Sequence, residues 1–476
     1  MEEKFEEEKF LVQLCFEPQA TTESVAVVGD FTGWEDKIYL EKTEDGNIWK
    51  TSMELPSGEY AYHFLIDGNN FRLDPCNPLQ IDRKGTFYSK LVVGDTAREV
   101  CGAEHTDKDI DVYSANTIYM KIRLNKNIFI SSKLILVIND IPQSITGYKL
   151  FDDLTYSHFM FKFQTGIRNN GIIYYFELEK TTAEIVYFGQ NGIVGLEWEV
   201  EDFEYNHSCL PLDPNLLWLE SSVLYQDGCP DPEKIGYIKD LNISAVYFNG
   251  VSGLKHSQAC LLNKTLSENS LKLISEEEYN TLEKNSMFMD ACIEFFAKKN
   301  ITAENFASEL GRQLEANPMQ GNFSMLLKLS EEGASCFYSL AGGDFNSLKL
   351  AAAFQFTYIG VPFIYSGEEN GMENNSNILA LYKSLIRIRR ENSVISEGDI
   401  KFFYARNGII GFDRFTPSDR LTVFINNSGK NFQIDLTEIL GNGDFIDISK
   451  DHTLKRKKVF TLYENDFVVL RKMKDR

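Results

Sequence analysis

Trp34 closes a glycine-containing turn in the segment VVGDFTGW at 27–34. An indole ring on such a turn offers a flat apolar face. Sugar rings stack their C–H faces against aromatic faces of this kind, while neighbouring polar groups bind the hydroxyls. The alternative is that Trp34 is a packing aromatic at the edge of a β-sandwich. Trp49 lies at an alternating position of a predicted strand and is predicted to belong to the core.

The acidic side chains form runs rather than recognisable metal or nucleophile motifs. In the run Glu276–Glu278 the simplest interpretation is a helix N-terminus, where the helix dipole favours negative charge. The eight cysteines have no C-x-x-C spacing, and the six histidines are never at ligand spacing. P-loop, dinucleotide and serine-nucleophile motifs are absent from the sequence. We therefore expect no metal site and no cofactor.

The composition restricts the partners of the chain. The formal net charge is −22 and the sequence pI is about 4.8, so nucleic acid and anionic membrane surfaces would repel the chain. The N-terminal decapeptide is rich in Glu and has no apolar region typical of a secretory signal. Single scattered cysteines fit a reducing compartment. We expect a cytoplasmic protein that binds neither nucleic acid nor membrane.

The hydrophobic pattern predicts four successive regions. Residues 1–97 and 111–205 contain short alternating strands with turn signals between them, which is typical of β-sandwiches. In the region 211–395 short apolar strands alternate with helical patterns, which indicates a parallel sheet or barrel. The region 399–476 is again all-β. The predicted fold class is therefore multidomain β plus α/β: two N-terminal β-sandwich modules, a truncated (β/α) barrel and a C-terminal antiparallel β domain.

Residues 27–34, 45–49, 56–68 and 74–78 together resemble a family-48 carbohydrate-binding module, the kind found in the glycogen-binding region of AMP-activated kinase. The matching segments are VVGDFTGW, DGNIW, PSGEYAYHFLIDG and DPCNP. The resemblance implies a glycogen- or starch-binding β-sandwich over 1–97. The sugar platform that it implies consists of Trp34, His63, Phe71, Lys84 and Thr86.

Further along the chain, residues 174–192 resemble the family-34 N-terminal module of cyclomaltodextrinases and neopullulanases. This implies a second β-sandwich over 111–205, which in those relatives often builds a dimer interface. Residues 341–372 and 380–415 resemble the barrel of the α-amylase family, glycoside hydrolase family 13, nearest to the neopullulanase branch. The region after 399 fits that family's C-terminal β domain.

Members of this family cleave glycosidic bonds with an Asp nucleophile, a Glu acid and a third Asp. In a retaining enzyme the nucleophile and the acid lie about 5–5.5 Å apart. Here the segment LKLIS (271–275) aligns with family strand five, and it follows soon after strand two. Barrel strands three and four and the nucleophile motif have no counterpart. Glu276 and Glu332 are the vestigial candidates for the acid and the third carboxylate, and no catalytic residue is predicted with certainty.

Six candidate strands remain in the barrel region, at 223–226, 245–250, 271–275, 286–289, 323–330 and 361–367. An eight-unit barrel needs about 250 residues, which is longer than the stretch 211–395. We therefore expect an open or collapsed barrel.

The leading functional hypothesis is a catalytically inactive α-glucan-binding protein of carbohydrate metabolism, with glycogen, starch or maltodextrin as its ligand. One alternative is an active retaining hydrolase of neopullulanase or cyclomaltodextrinase type that uses other carboxylates, such as Glu276, Glu332 or Asp227. The second alternative is an interaction subunit that pairs with an active paralogue. A homodimer through residues 111–205 is expected only from the resemblance.

Overall fold

The structure is a computed structural model, and it describes the chain in segments. The described residues are 9–16, 22–43, 48–56, 58–74, 77, 80–83, 86–93, 102–114, 117–138, 141–153, 155–164, 172–205, 218–228, 232–249, 256–282, 284–331, 335–371, 375–441, 443–450, 452–454 and 459–473. They fall into two compact units. One unit comprises Met1–Val112 and Asn116–Cys209, and the other comprises Tyr113–Ala115 and Leu210–Arg476.

The N-terminal part of the first unit is a β-sandwich. One sheet has the order β1-β5-β4, and the other has the order β3-β2-β6-β9-β8, with β7 beside β6. The alternation of apolar residues places Val25, Val27, Tyr62 and Phe64 in one core with residues of β1 and β5. Trp49 is buried in this core, as predicted. The strands are Lys9–Phe16 (β1), Val25–Gly29 (β2), Ile38–Tyr39 (β3), Glu41–Lys42 (β4), Trp49–Pro56 (β5), Gly58–Ile66 (β6), Asn70–Arg72 (β7), Gln80–Arg83 (β8) and Thr86–Val93 (β9).

The rest of the first unit is a second pair of antiparallel sheets. Their orders are β10-β12-β16-β15, with β11 beside β12, and β14-β13-β17-β18-β19, with β20 beside β17. Apolar residues of both sheets form one buried cluster. The strands are Ala103–Glu104 (β10), Ile110–Ser114 (β11), Thr117–Asn125 (β12), Phe129–Ile138 (β13), Ile141–Thr146 (β14), Tyr148–Asp152 (β15), Tyr156–Gln164 (β16), Ile172–Lys180 (β17), Ile185–Gly189 (β18), Gly192–Val194 (β19) and Phe203–Tyr205 (β20).

The second unit contains a parallel sheet of the order β23-β22-β21-β25-β24. Its strands are Leu224–Asp227 (β21), Ala245–Phe248 (β22), Lys272–Ile274 (β23), Leu326–Lys328 (β24) and Val361–Tyr365 (β25). An isolated parallel bridge joins Lys284 to Leu326. Within the described residues no pairing joins β23 to β24, so the sheet stays open. This confirms the predicted truncation of the barrel.

Helices lie between and after these strands along the chain. They are Pro232–Asp240 (α1), His256–Glu268 (α2), Glu276–Thr281 (α3), Ser286–Cys292 (α4), Ala303–Ala316 (α5), Met319–Ser324 (α6), Phe337–Leu340 (α7), Phe345–Thr357 (α8), Ser376–Glu391 (α9) and Val394–Glu397 (α10), with a π-helical turn at Ile293–Ala297. No described helix is both long enough and apolar enough to cross a membrane.

The prediction of a strand at 286–289 was wrong, because these residues begin helix α4. The side chain of Asn285 accepts a hydrogen bond from Phe288 N at 2.7 Å and caps the helix. Phe288, Ala291 and Cys292 are buried at helical spacing. A cap of this kind satisfies one of the free N–H groups of the first turn, so the short apolar run is helical rather than extended.

The C-terminal residues form antiparallel sheets of the orders β26-β27-β28-β33-β30-β31 and β29-β32. Arg414, on β27, is fully buried and donates hydrogen bonds to the carbonyls of Thr357, Tyr358 and Gly398. It thereby ties this sheet to the end of α8. The elements are Asp399–Arg406 (β26), Ile409–Phe415 (β27), Arg420–Asn426 (β28), Phe432–Asp435 (β29), Leu436–Leu440 (α11), Phe445–Asp447 (β30), His452–Leu454 (β31), Val459–Leu462 (β32) and Asp466–Lys472 (β33).

Candidate functional site

Trp34 ends the turn that leaves strand β2. Asp30–Thr32 form one turn of 3-10 helix, and Gly33 and Trp34 follow with φ angles of 62° and 66°. The left-handed region suits glycine, but a bulky residue held there costs on the order of 1–3 kcal/mol. The Trp34 N–H donates to the Gly29 carbonyl at 3.1 Å and closes the turn. Other contacts must offset this strain, and they come from the neighbouring carboxylate.

The Asp30 carboxylate accepts four hydrogen bonds. The Trp34 indole Nε1 donates to Oδ1 at 2.9 Å, and the Ala61 backbone N donates to Oδ2 at 2.8 Å. The Arg83 guanidinium donates to both oxygens, at 2.7 and 2.6 Å. The hydrogen bond from Arg83 is the largest cause that lowers the pKa of Asp30 to about 2. The turn and the β8–β9 hairpin are therefore joined through one ionised carboxylate.

Four aromatic rings contact one another, and one of them belongs to Trp34. The Trp34 and Tyr88 ring centroids are 5.0 Å apart at an interplanar angle of 71°. His63 stacks on Tyr88 at 4.7 Å and 24°, and Phe71 lies 6.2 Å from His63. Phe71 is 59% exposed, while the other three are partly exposed. We call Trp34, His63, Phe71 and Tyr88 the aromatic cluster.

Hydrogen bonding orients the imidazole within the aromatic cluster. His63 Nε2 lies 3.0 Å from the Phe87 carbonyl oxygen. A carbonyl can only accept, so Nε2 carries the hydrogen. In the neutral ring Nδ1 is then the acceptor. The cluster therefore combines flat apolar faces with a polar atom that can accept a hydrogen bond from a hydroxyl.

Three of the residues predicted for the sugar platform come together in the structure. Trp34, His63 and Phe71 belong to the aromatic cluster, although they come from a turn and two strands. Thr86 is exposed and pairs with Arg83 in the β8–β9 hairpin. Lys84 lies outside the described residues. The alternative prediction was that Trp34 is a packing aromatic. Its ring does pack against Tyr88 in a T-shaped contact, but it remains partly exposed.

Sequence reasoning did not include Tyr88 in the sugar platform, and it missed the pair Asp30 and Arg83. The Tyr88 position follows from strand alternation, because β9 pairs antiparallel with β6 and places Tyr88 beside His63. Asp30 and Arg83 are 53 residues apart in the sequence, and their contact had no local signal.

Glu276, the candidate for the acid, is exposed at the first position of helix α3. The residue before it, Ser275, forms a capping box with Glu278: the Ser275 side chain accepts from Glu278 N, and the Glu278 side chain accepts from Ser275 N. The acidic run therefore forms a helix N-terminus, as its simplest interpretation predicted. Glu332, the second candidate, lies outside the described residues.

Tyr279 of helix α3 occupies the interior beside the parallel sheet. Its ring stacks on Tyr247 of β22 with centroids 3.9 Å apart and an interplanar angle of 11°. The ammonium of the buried Lys328, on β24, donates to the Tyr279 hydroxyl at 2.7 Å. Tyr279 and Leu282 belong to the same buried cluster as Phe363 of β25. Side chains thus fill the space that these strands surround.

Three other carboxylates lie at the ends of strands β21 and β25. Asp227 is buried and pairs with the Lys234 ammonium at 2.7 Å. Glu369 accepts hydrogen bonds from the hydroxyls of Tyr225 and Tyr237, each at 3.0 Å. The Tyr382 hydroxyl donates to Glu368 at 2.6 Å, and burial raises the pKa of Glu368 to about 7. Each of these carboxylates has a partner within the protein.

Comparisons with known proteins point to two families in one chain. Residues 12–99 match the family described as the glycogen recognition site of AMP-activated protein kinase. A cyclomaltodextrinase from Thermoanaerobacter pseudethanolicus is 33% identical over 179 residues, which are 34% of this chain and 31% of that protein. Neopullulanase 2 from Thermoactinomyces vulgaris is 30% identical over 165 residues, 31% of this chain and 28% of that protein.

The matched part of the chain thus spans about a third of the length of these curated relatives. Among solved structures, a maltogenic amylase from S. marinus aligns with a TM-score of 0.63 at 13% identity, covering 98% of this chain and 97% of that chain. This likeness is one of fold.

Proposed function

We propose that this chain, a member of the cyclomaltodextrinase and neopullulanase branch of the α-amylase family with an N-terminal glycogen-recognition module, binds an α-glucan and does not hydrolyse it. The ligand class is glycogen, starch or maltodextrin. The observation that carries the proposal is the aromatic cluster of Trp34, His63, Phe71 and Tyr88, which lies on the module that matches the glycogen recognition family.

The chemistry of the aromatic cluster suits a carbohydrate. Flat aromatic faces offer apolar area to the C–H faces of glucose rings, and few polar atoms are then needed to fix the orientation. The rings of Trp34, His63 and Tyr88 each contact the other two, with centroids 4.7–6.2 Å apart, and Phe71 lies 6.2 Å from His63.

The proposal that the chain does not hydrolyse glucan is based on the carboxylates of the barrel region. Retaining hydrolysis needs two facing carboxylates about 5–5.5 Å apart around the scissile bond. Among the described residues, the Asp227 carboxylate forms an ion pair with the Lys234 ammonium. Glu276 is exposed at the N-terminus of a helix. Tyr279 stacks on Tyr247 within the buried cluster beside the parallel sheet, so these side chains pack together rather than line an open cleft.

Binding is tested with the full chain by electrophoresis in native gels containing glycogen and by calorimetric titration with maltoheptaose. We expect retardation in the gel and a measurable Kd, both lost in Trp34→Ala. Trp198→Ala is the matched control, because Trp198 is 80% exposed on the second β-sandwich and its loss removes an equal ring. Retardation that survives Trp34→Ala would contradict a role for the aromatic cluster.

Hydrolysis is tested in parallel by the release of reducing ends from soluble starch, pullulan and cyclodextrin. We expect no release above the rate without protein. Turnover that disappears in Glu276→Gln would show that the acid has survived and would refute the inactive assignment. A chain that neither binds nor hydrolyses glucan would favour an interaction subunit.

A further inference from the structure

The Asp30 carboxylate connects the turn that carries Trp34 to the hairpin formed by strands β8 and β9. Asp30 accepts from the Trp34 indole on one side and from the Arg83 guanidinium on the other. Arg83 ends strand β8 and pairs with Thr86 at the start of β9, the strand that carries Tyr88. A single side chain therefore sets the position of the turn relative to the β8–β9 hairpin.

The Trp34 ring needs such a restraint. Its backbone has a φ of 66°, and strained residues of this kind persist only where surrounding contacts hold them. The indole is partly exposed and meets Tyr88 at its edge, so packing covers only part of the ring. Without a hydrogen bond at Nε1, a bound sugar would have to order the side chain itself, and the entropy lost in ordering it would weaken binding.

Strands β2 and β6 lie unusually close together next to the turn, at Gly29 and Ala61. A Cβ on Gly29 would lie 2.5 Å from the Ala61 carbonyl oxygen, so strand β2 and strand β6 approach too closely for any other residue. That approach brings the Ala61 N–H within 2.8 Å of Asp30 Oδ2. The carboxylate is thus anchored to the sheet as well as to the two side chains.

We propose that Asp30 is a positioning residue for α-glucan binding, which fixes the Trp34 indole and the β8–β9 hairpin in the binding geometry before the sugar arrives. This inference rests on the proposed function, since it assigns a role within the same site. Asp30 does not touch the sugar in this role. It acts through Trp34 and Arg83.

The hydrogen bonds between Asp30 and Arg83 depend on the ionised form of the Asp30 carboxyl group. The bidentate pair with Arg83 needs two acceptor oxygens, and the ionised carboxylate provides them. The pKa of Asp30 lies near 2, so the carboxylate stays charged at every pH used for binding. Asp30→Asn removes one acceptor and the charge while the size of the side chain is kept.

The test uses the full chain and four variants. Asp30→Asn weakens the hydrogen bonds that Asp30 accepts from Arg83 and Trp34. Arg83→Gln removes the link to the hairpin but leaves the Asp30 carboxylate free to accept from Trp34. Glu59→Gln is the matched control, because Glu59 forms a surface ion pair with Lys90 at 2.7 Å in the same sheet. Trp34→Phe identifies the fluorescence of Trp34 among the four tryptophans.

Two quantities are measured for each variant: the Kd for maltoheptaose, and the acrylamide quenching of the Trp34 fluorescence without sugar. For Asp30→Asn we expect a Kd about three- to tenfold higher and stronger quenching. For Arg83→Gln we expect a smaller rise in Kd with quenching near that of the wild type. Glu59→Gln should leave both unchanged.

The results separate this inference from the proposed function. A wild-type chain that binds no maltoheptaose refutes the proposed function, and the positioning role with it. A wild type that binds, together with an Asp30→Asn variant whose Kd is unchanged, refutes the positioning role alone. If Asp30→Asn fails to fold, as judged by circular dichroism, Arg83→Gln decides, since an unchanged Kd in that variant overturns the link to the hairpin.

Discussion

The buried carboxyl group of Glu368 makes the stability of the second unit dependent on pH in an unusual direction. Glu368 begins the 3-10 turn Glu368–Asn370 after strand β25 and is 2% exposed. Burial is the largest cause of its raised pKa, which lies at about 7. The neighbouring carboxylate of Glu369 raises this pKa further. Near neutral pH the folded chain therefore binds a proton that the unfolded chain has released.

The sign and size of the effect follow from linkage. In the unfolded chain Glu368 has the ordinary pKa of 4.5. Between pH 4.5 and 7 the folded state binds more protons, so the free energy of unfolding falls as the pH rises. The stabilisation from the protonated form is complete below pH 4.5 and is lost as the pH passes 7. Each pKa unit corresponds to about 1.4 kcal/mol, which gives a loss of about 3 kcal/mol between pH 4.5 and 8.

The assay compares wild type with Glu368→Gln in urea unfolding at pH 5 and pH 8. Glutamine is neutral at both values, and its amide oxygen can still accept from the Tyr382 hydroxyl. At pH 8 we expect Glu368→Gln to be more stable than wild type by up to about 3 kcal/mol. At pH 5 the difference should shrink to about 1 kcal/mol or less, since little of the loss has developed there. Glu397→Gln, at an exposed carboxyl in the same unit, is the control and should show no such pH dependence. Equal effects of Glu368→Gln at both pH values would refute the reasoning.

Two further substitutions test the packing of the second unit. Arg414→Met leaves three backbone carbonyls without their buried donor and should lower the free energy of unfolding by about 3 kcal/mol in urea titrations; unchanged stability would mean that the cost of burying the guanidinium balances its hydrogen bonds. Tyr279→Ala opens a cavity beside Tyr247 and removes one hydrogen-bond partner of the Lys328 ammonium, so we expect a loss of about 3–5 kcal/mol by the same titration. A loss below about 1 kcal/mol would show that the interior rearranges to fill the space.

Strand alternation was sufficient to predict the β-sandwich regions. In strand β6, for example, Tyr62, Phe64 and Ile66 face the core, and this pattern with a period of two is visible in the sequence. The parallel strands β21, β22 and β25 were predicted from a different signal, namely short apolar runs between helical segments. The run at 286–289 was misassigned because a short apolar segment has no reliable period, and the Asn285 cap decided its structure.

The candidate site was predictable only where the residues carry a motif. Trp34, His63 and Phe71 were named as candidates because the sequence around them resembles a glycogen-binding module, and the structure brings these three rings together. Asp30 and Arg83 were not, since an ion pair between residues 53 positions apart leaves no trace in spacing or periodicity. The same limit applies to Tyr279, which follows three glutamates and has no apolar neighbour in the sequence to suggest burial.

The truncation of the barrel and the packing of side chains beside the parallel sheet are connected. Among the described residues between strand β23 and Lys284, the only element is the short helix α3. Strands β22, β24 and β25 still present apolar and aromatic side chains towards the interior, and protein interiors are close-packed. Tyr279 and Leu282 complete that packing. Without these two side chains the cluster would contain an unfilled space, and a cavity in a buried core is destabilising. Glucan recognition, as proposed, then depends on the aromatic cluster of the N-terminal module, whose geometry is set by Asp30 and not by the barrel.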